Sequence, residues 1–280
     1  MDRNRANHAY TALLAAPRFE ILPLASVLDE TSALPEGTVV TVTASPRRGL
    51  DATVETCQKL AAQQLRAVPH LAARQVTGEE HLRELLDRLA GSGIDEVFVV
   101  GGDAAVPAGP YADGLALLRA MAGLGRLPAT VGVPAYPEGH PVLGERTLWS
   151  ALHAKQAYAS YVVTQLCFEA RAVCRFAAAA RDRGITLPVV AGVPGAVDTR
   201  TLLRMSVRIG VGDSLRFAKG HRSLAGRLLR PGAYLPDALV GELAARADAG
   251  ECAPAGLHFY TFNRLGATAR WAAEARRRAG

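Results

Sequence analysis

No stretch of this 280-residue chain approaches the roughly 20 consecutive apolar residues that a membrane helix needs. No apolar leader follows Met1-Asp2-Arg3-Asn4-Arg5. Cysteine is scarce, and Cys57, Cys167, Cys174 and Cys252 show neither CxxC nor zinc-like spacing. Their bland reading is buried free thiols in a reducing compartment. These absences lead to the expectation of a soluble, cytoplasmic protein with no membrane partner. No GxGxxG turn follows the first apolar segment, which counts against an open dinucleotide-binding sheet. No GxSxG or Cys/His pattern marks a nucleophile. Low-complexity linkers are missing too, so nothing divides the chain.

Acidic residues are slightly outnumbered, 26 against 32 Lys and Arg, giving a formal net charge of +6. A basic balance favours anionic partners, among them dinucleotides and polycarboxylates. The basic residues are scattered, however, and the densest run, Arg276-Arg277-Arg278, reads as a solvated final helix and not as a nucleic-acid patch.

What the sequence does have is alternation. Val97-Phe98-Val99-Val100 runs into Gly101-Gly102-Asp103, an apolar run that suits a strand buried on both faces and ends in a glycine turn. Comparable strand signals occur at residues 18–24, 38–43, 66–71, 129–136, 161–168, 188–193 and 256–262. Helical patterns separate them, at 51–64, 77–91 with Thr77 and Glu80 as a capping box, 111–123, 147–158 and 170–182. Two or three helices, cut by Gly212, Gly220, Gly232 and Pro236, fill 199–249, and 264–278 closes the chain as a helix. Strands alternating with helices imply a parallel sheet, and eight such units imply an α/β fold of the (β/α)8 TIM-barrel type. The expected organisation is a single domain over residues 1–280, with 1–17 as an N-terminal helical extension.

In such a barrel, chemistry collects at the carboxyl ends of the strands. The groups placed there are Glu20, Thr43, His70, Asp103, Tyr136, Glu138, His140, Gln165 and Arg264. A histidine inside a strand, His70 or His258, is more often a satisfied core residue than a ligand. Glu20 is harder to dismiss, because burying a carboxylate without a partner costs several kcal/mol. Lining the barrel mouth as a proton donor accounts for it better. Nothing in the spacing of His70, Asp103 and His140 assembles a metal site, so no metal is expected.

Phe19-Glu20, Pro69-His70-Leu71, Gly102-Asp103, Ala135-Tyr136-Pro137-Glu138-Gly139-His140-Pro141, Thr164-Gln165-Leu166 with Phe168-Glu169, and Gly256 to Arg264 resemble, in order, motifs of the methylenetetrahydrofolate reductase family. The resemblance implies reduction of 5,10-methylenetetrahydrofolate to 5-methyltetrahydrofolate, in folate one-carbon metabolism and methionine supply. It implies FAD as cofactor, NADH or NADPH as hydride donor and a cytoplasmic enzyme, with a homo-oligomer left open. By carry-over, Glu20 is the general acid and Asp103 stabilises developing positive charge. Gln165 and Arg264 bind the folate, while Thr43, His70, Gly102, Asp103, Tyr136, His140 and Lys155 match flavin contacts. The chain departs from the family where Gly101 replaces an Arg, and where Leu148, Ala151 and Ala154 replace polar helix residues. Those departures remove charge-assisted hydrogen bonds from the flavin side. Two alternatives stand beside the reductase: a folate-binding partner subunit, and another pterin-dependent one-carbon oxidoreductase on the same barrel.

Overall fold

The computed structural model of the chain describes residues 3–202 and 233–280. Its barrel strands are β1 (Arg18–Ile21), β2 (Val39–Val42), β3 (Arg66–Ala72), β4 (Glu96–Val100), β5 (Thr130–Ala135), β6 (Tyr161–Thr164), β7 (Val189–Pro194) and β10 (Gly256–Tyr260). Each pairs in parallel with its neighbour in chain order, and β10 pairs with β1 to close the ring. A short antiparallel ribbon, β8 (Val197–Asp198) with β9 (Ala233–Tyr234), is inserted between β7 and β10. The described helices are α1 (Arg3–Leu13), α2 (Ala25–Thr31), α3 (Gly49–Ala62), α4 (Glu79–Gly91), α5 (Gly114–Gly123), α6 (Glu145–Lys155), α7 (Ala170–Asp182), α8 (Asp237–Asp248) and α9 (Leu265–Ala279). None of them is long and apolar enough to cross a membrane.

The architecture is the closed (β/α)8 barrel, in one domain. Its elements differ from the sequence expectation in ways that have local causes. The strands are shorter than their apolar runs, because the last residues of several runs leave the ladder to form the rim. Thr77 caps nothing: α4 begins after Gly78, and the Thr77 backbone N–H donates instead to His81 Nδ1 at 3.2 Å. The cap of α5 is Asp113, whose carboxylate accepts from Ala116 N. The helical readings at 203–232, with Gly212, Gly220 and Gly232, lie outside the described residues.

The free-thiol reading of the cysteines is corrected. Cys174 of α7 is bonded to Cys252, 78 residues away and ahead of β10, whereas Cys57 and Cys167 are free and buried. No spacing rule connects two cysteines that far apart in sequence; the packing of α7 against α8 brings their segments together.

Two apolar layers hold the barrel. The outer one lies between strands and helices and includes Ile21, Val40, Val42, Val97, Val99, Val133 and Leu257. The inner one fills the barrel with Val39, Val68, Phe98, Tyr161, Val163 and Val190. Each such side chain contributes roughly 1.5–3 kcal/mol by leaving water. Two glycines make room for the large inner rings. A methyl group on Gly132 would stand 2.5 Å from both Phe98 and Tyr161, and one on Gly192 would stand 2.1 Å from the Thr164 carbonyl oxygen.

The amino end of the barrel is closed by an ion cluster built from the first residue of four strands. Glu96 is buried, with 4% of its side chain exposed; its Oε1 accepts from Arg18 Nη1 at 2.5 Å and Tyr161 Oη at 2.8 Å. Its Oε2 accepts from Arg66 Nη2 at 3.1 Å, and the Arg18 guanidinium stacks 4.3 Å above the Tyr161 ring. Removing one member of such a cluster leaves the others unpaired. Glu96→Ala is expected to cost roughly 3–5 kcal/mol of stability, measured as a fall in the denaturant midpoint. A change below about 1 kcal/mol would show that the cluster does not hold the floor.

Candidate active site

At the opposite end of the barrel the polar residues converge on Glu20. Strand alternation turns Arg18 and Glu20 of β1 into the barrel and Phe19 and Ile21 out of it, so Glu20 rises one layer above the ion cluster. Its Oε2 lies 3.2 Å from Nε2 of His258 on β10 and 3.7 Å from Nε2 of His70 on β3. Both rings are buried, and the Glu20 side chain keeps 16% of its surface exposed toward the mouth.

His70 packs against Phe98 with ring centroids 4.7 Å apart. Burial pushes its pKa down to about 4, against an opposing pull from Glu20, so its ring is neutral near pH 7. His258 meets Tyr260 edge-on at 5.0 Å. The Tyr260 hydroxyl donates to the Thr164 carbonyl at 3.0 Å, and burial raises its pKa far above the ordinary phenol value. The sequence weighs His258 as a satisfied core histidine; the structure gives it Glu20 as partner and leaves its Nδ1 without one. The signal for this role is the two-residue spacing of His258 and Tyr260, which puts both on one face of β10.

The backbone of Glu20 is held from the far end of the chain. Thr261 Oγ1 donates to the Glu20 carbonyl at 2.5 Å, and Leu22 N donates to Asn263 Oδ1 at 2.7 Å. This clamp needs a turn with positive φ at Phe262 (49°) and Asn263 (61°). Asn tolerates that conformation; for Phe it carries a cost of order 1–3 kcal/mol, a kind of strain that clusters at functional sites.

The remaining rim residues form a second group, around the loops after β4 and β5. Asp103 is exposed; burial raises the Tyr136 phenol and lowers the His140 imidazole, and the Asp103 charge adds to the first shift and opposes the second. Tyr136 and His140 meet edge to face at 5.0 Å, and His140 Nδ1 accepts from Val142 N and Leu143 N, both at 3.2 Å. Gly102 takes φ +92°, and a methyl there would come 3.1 Å from Ala72 Cβ. Arg74, which sequence reasoning missed, organises this loop: its guanidinium donates to the Ala112 and Ala105 carbonyls, and its backbone N–H to Gly101 O.

Gln165 Oε1 accepts from Leu166 N at 2.9 Å, and its NH2, at the end of β6, has no acceptor among the described residues. Arg264, after β10, is exposed and stands 3.8 Å from Asp198 of the ribbon. No hydrogen bond or ion pair among the described residues joins Asp103 or Arg264 to Glu20. Nor does any group of three His, Cys, Asp or Glu side chains among them form a metal cage.

Several polar atoms here await a partner. Thr43 Oγ1, at the end of β2, is buried without one. Lys155 has no carboxylate within 4 Å among the described residues; a methyl on Gly114, at the start of α5, would lie 3.6 Å from its Nζ. Burial lowers the Lys155 pKa, opposed by Asp113. A buried hydroxyl and an ammonium beside a helix N-terminus are donors suited to a phosphate-bearing ligand. On that count Thr43 and Lys155 fit a phosphate-bearing cofactor. The facing side of α6 supplies no polar atoms at Leu148, Ala151 and Ala154, and Gly101 leaves open space where a side chain would stand.

Fold and site together define a TIM barrel with an acid at its carboxyl-end mouth. The family model for methylenetetrahydrofolate reductase matches residues 4–211, and the chain belongs to that family. The matched segment carries Glu20, His70, Asp103 and Gln165, while His258 and Arg264 lie beyond it. Among solved structures, the chain is similar to a Burkholderia cenocepacia J2315 protein labelled a lyase/mutase, at 16% identity and TM-score 0.49 over 99% of this chain and 86% of that one. A second protein of that organism, labelled a phosphonomutase, matches at 12% identity and TM-score 0.43 over 69% of this chain and 84% of that one. Neither likeness bears on what this chain does.

The depressed His70 pKa has a consequence for stability. In the unfolded chain the ring takes a proton near its ordinary value of 6.5, and in the folded state only near 4. Between those values the unfolded state binds more protons, so stability falls as pH drops from about 6.5 to about 4, by roughly 3 kcal/mol in all. Denaturation midpoints measured across this range are expected to fall less steeply in His70→Gln. Equal slopes in the two proteins would show that His70 carries no such linkage.

Proposed function

We propose that the chain reduces 5,10-methylenetetrahydrofolate to 5-methyltetrahydrofolate with NADH or NADPH. Family membership supports a folate-related one-carbon reductase. The observation that carries the specific reaction is the Glu20 carboxyl at the mouth, held by imidazole and open to the site on one side. Glu20 is the general acid: its proton passes to one nitrogen of the methylene bridge. That nitrogen's bond to the methylene carbon then breaks, and the lone pair of the other nitrogen forms an iminium. Hydride transfer to the carbon completes the methyl group. Asp103 bears on the cation as it develops, the Gln165 NH2 orients the pterin, and Arg264 holds a carboxylate of the folate.

FAD is proposed as cofactor; Thr43, His70, Gly102, Asp103, Tyr136, His140 and Lys155 would hold it, the Lys155 ammonium supplying positive charge for a phosphate. When bound it relays hydride from the nicotinamide. Without polar groups at Gly101, Leu148, Ala151 and Ala154, the grip lacks several charge-assisted hydrogen bonds of about 1.5–3 kcal/mol each. The same gap supports a second reading, in which hydride passes directly from nicotinamide to the iminium while Glu20 and Gln165 keep their roles.

Methylenetetrahydrofolate-dependent oxidation of NADH or NADPH tests the reaction. Glu20→Gln is expected to lower kcat by about 100-fold or more, the usual worth of a general acid. Wild-type protein that turns over no folate with either nucleotide, FAD supplied, would exclude the reductase and leave a folate-binding subunit. Adding FAD to dilute protein is expected to raise the rate. A rate indifferent to FAD, in protein without a flavin visible spectrum, would select direct transfer.

A further inference from the structure

His258 is almost wholly enclosed, with 2% of its surface exposed. Its Nε2 faces Glu20 Oε2 at 3.2 Å, and its Nδ1 is buried with no hydrogen-bond partner among the described residues. A buried N–H with no acceptor is rarer in proteins than a buried acceptor with a spare lone pair. The ring proton therefore belongs on Nε2, where it donates to Oε2, and Nδ1 is bare. The other groups that face the carboxyl are His70, at 3.7 Å from the same oxygen, and the Tyr260 phenol, whose hydrogen is spent on the Thr164 carbonyl. Oε1 of Glu20 has no hydrogen-bond partner among the described residues.

We propose that His258 is a positioning residue that selects the oxygen from which Glu20 delivers its proton. By donating Nε2–H to Oε2 it leaves the acid proton on Oε1, the oxygen free to meet a substrate. This rests on the reading of Glu20 as the general acid. During transfer the Oε1–H bond breaks as the new N–H bond forms, and the electron pair stays on the carboxyl group. Negative charge then spreads over both oxygens, and the Nε2–H bond strengthens as a charge-assisted contact. The contact is thus worth more in the transition state than before it, which is what accelerates a step.

Two variants and one spectrum test this. His258→Leu removes the donor; His258→Gln keeps an amide N–H able to reach Oε2. The Leu variant is expected to lose about 100-fold in kcat with the folate KM little changed, as for loss of one donor to developing charge. The Gln variant is expected to recover most of that loss. In the ¹⁵N spectrum of the unmodified protein, His258 is expected as the Nε2–H tautomer, and its Nε2 signal should shift in Glu20→Gln. Equal losses in both variants, or an Nδ1–H tautomer, would overturn the proposal. Should the unmodified protein reduce no folate, the acid reading of Glu20 fails. The tautomer and its response to Glu20→Gln would still decide whether His258 donates to Oε2, and they need no turnover and no folded Leu variant.

Discussion

A closed barrel of this size has one interior, and this chain buries a carboxylate toward each end of it. Taking a carboxylate out of water is costly unless something compensates, and the two ends compensate differently. Glu96 is met by two guanidiniums and a phenol, which occupy both of its oxygens. Glu20 is met on one oxygen by imidazoles, one of them kept neutral by its own burial. The first arrangement holds strands together; the second leaves a carboxyl with an unspent oxygen. Between them lies the apolar plug of Val39, Val68, Phe98, Val163 and Val190, which separates floor from mouth.

The same division runs across the rim. On one side Glu20, His70, His258 and Tyr260 form a tight, buried set fixed by strand register. On the other, Asp103, Tyr136 and His140 sit on loops, tied by a ring contact and by charge, and Lys155 sits at a helix end under the charge of Asp113. The proposed acid belongs to the first set, and the departures from the family's residues, at Gly101, Leu148, Ala151 and Ala154, fall in the segments that carry the second.

Most of the fold was legible in the sequence because most barrel strands are β-branched or apolar runs with a turn residue near the edge, as Val97 to Val100 before Gly101 illustrates. The strand ends were less so, since the runs ending at 24, 168 and 262 leave the ladder at Ile21, Thr164 and Tyr260, but Glu20, Gln165 and Asp103 were legible as rim residues. Other features depend on contacts that no local pattern records. The seven residues of α2 are too few to show a clear period, and the two-residue strands of the ribbon leave no signal at all. Cys174 and Cys252 meet only because α7 packs on α8. His258 looks like any strand histidine until closure sets β10 beside β1, and Arg74 gives no hint that its guanidinium will hold a loop some 30 residues on.

Closure also fixes when the site comes into being. The Glu20 carbonyl is bonded by Thr261 and the Leu22 amide by Asn263, each 241 residues further along the chain. In synthesis the acid therefore precedes the groups that aim it by 241 residues. Until residues 258–263 have emerged, β1 has a neighbour on one side only, and Glu20 lacks His258. The set around Glu20 is complete only once β10 pairs with β1 and the ring closes.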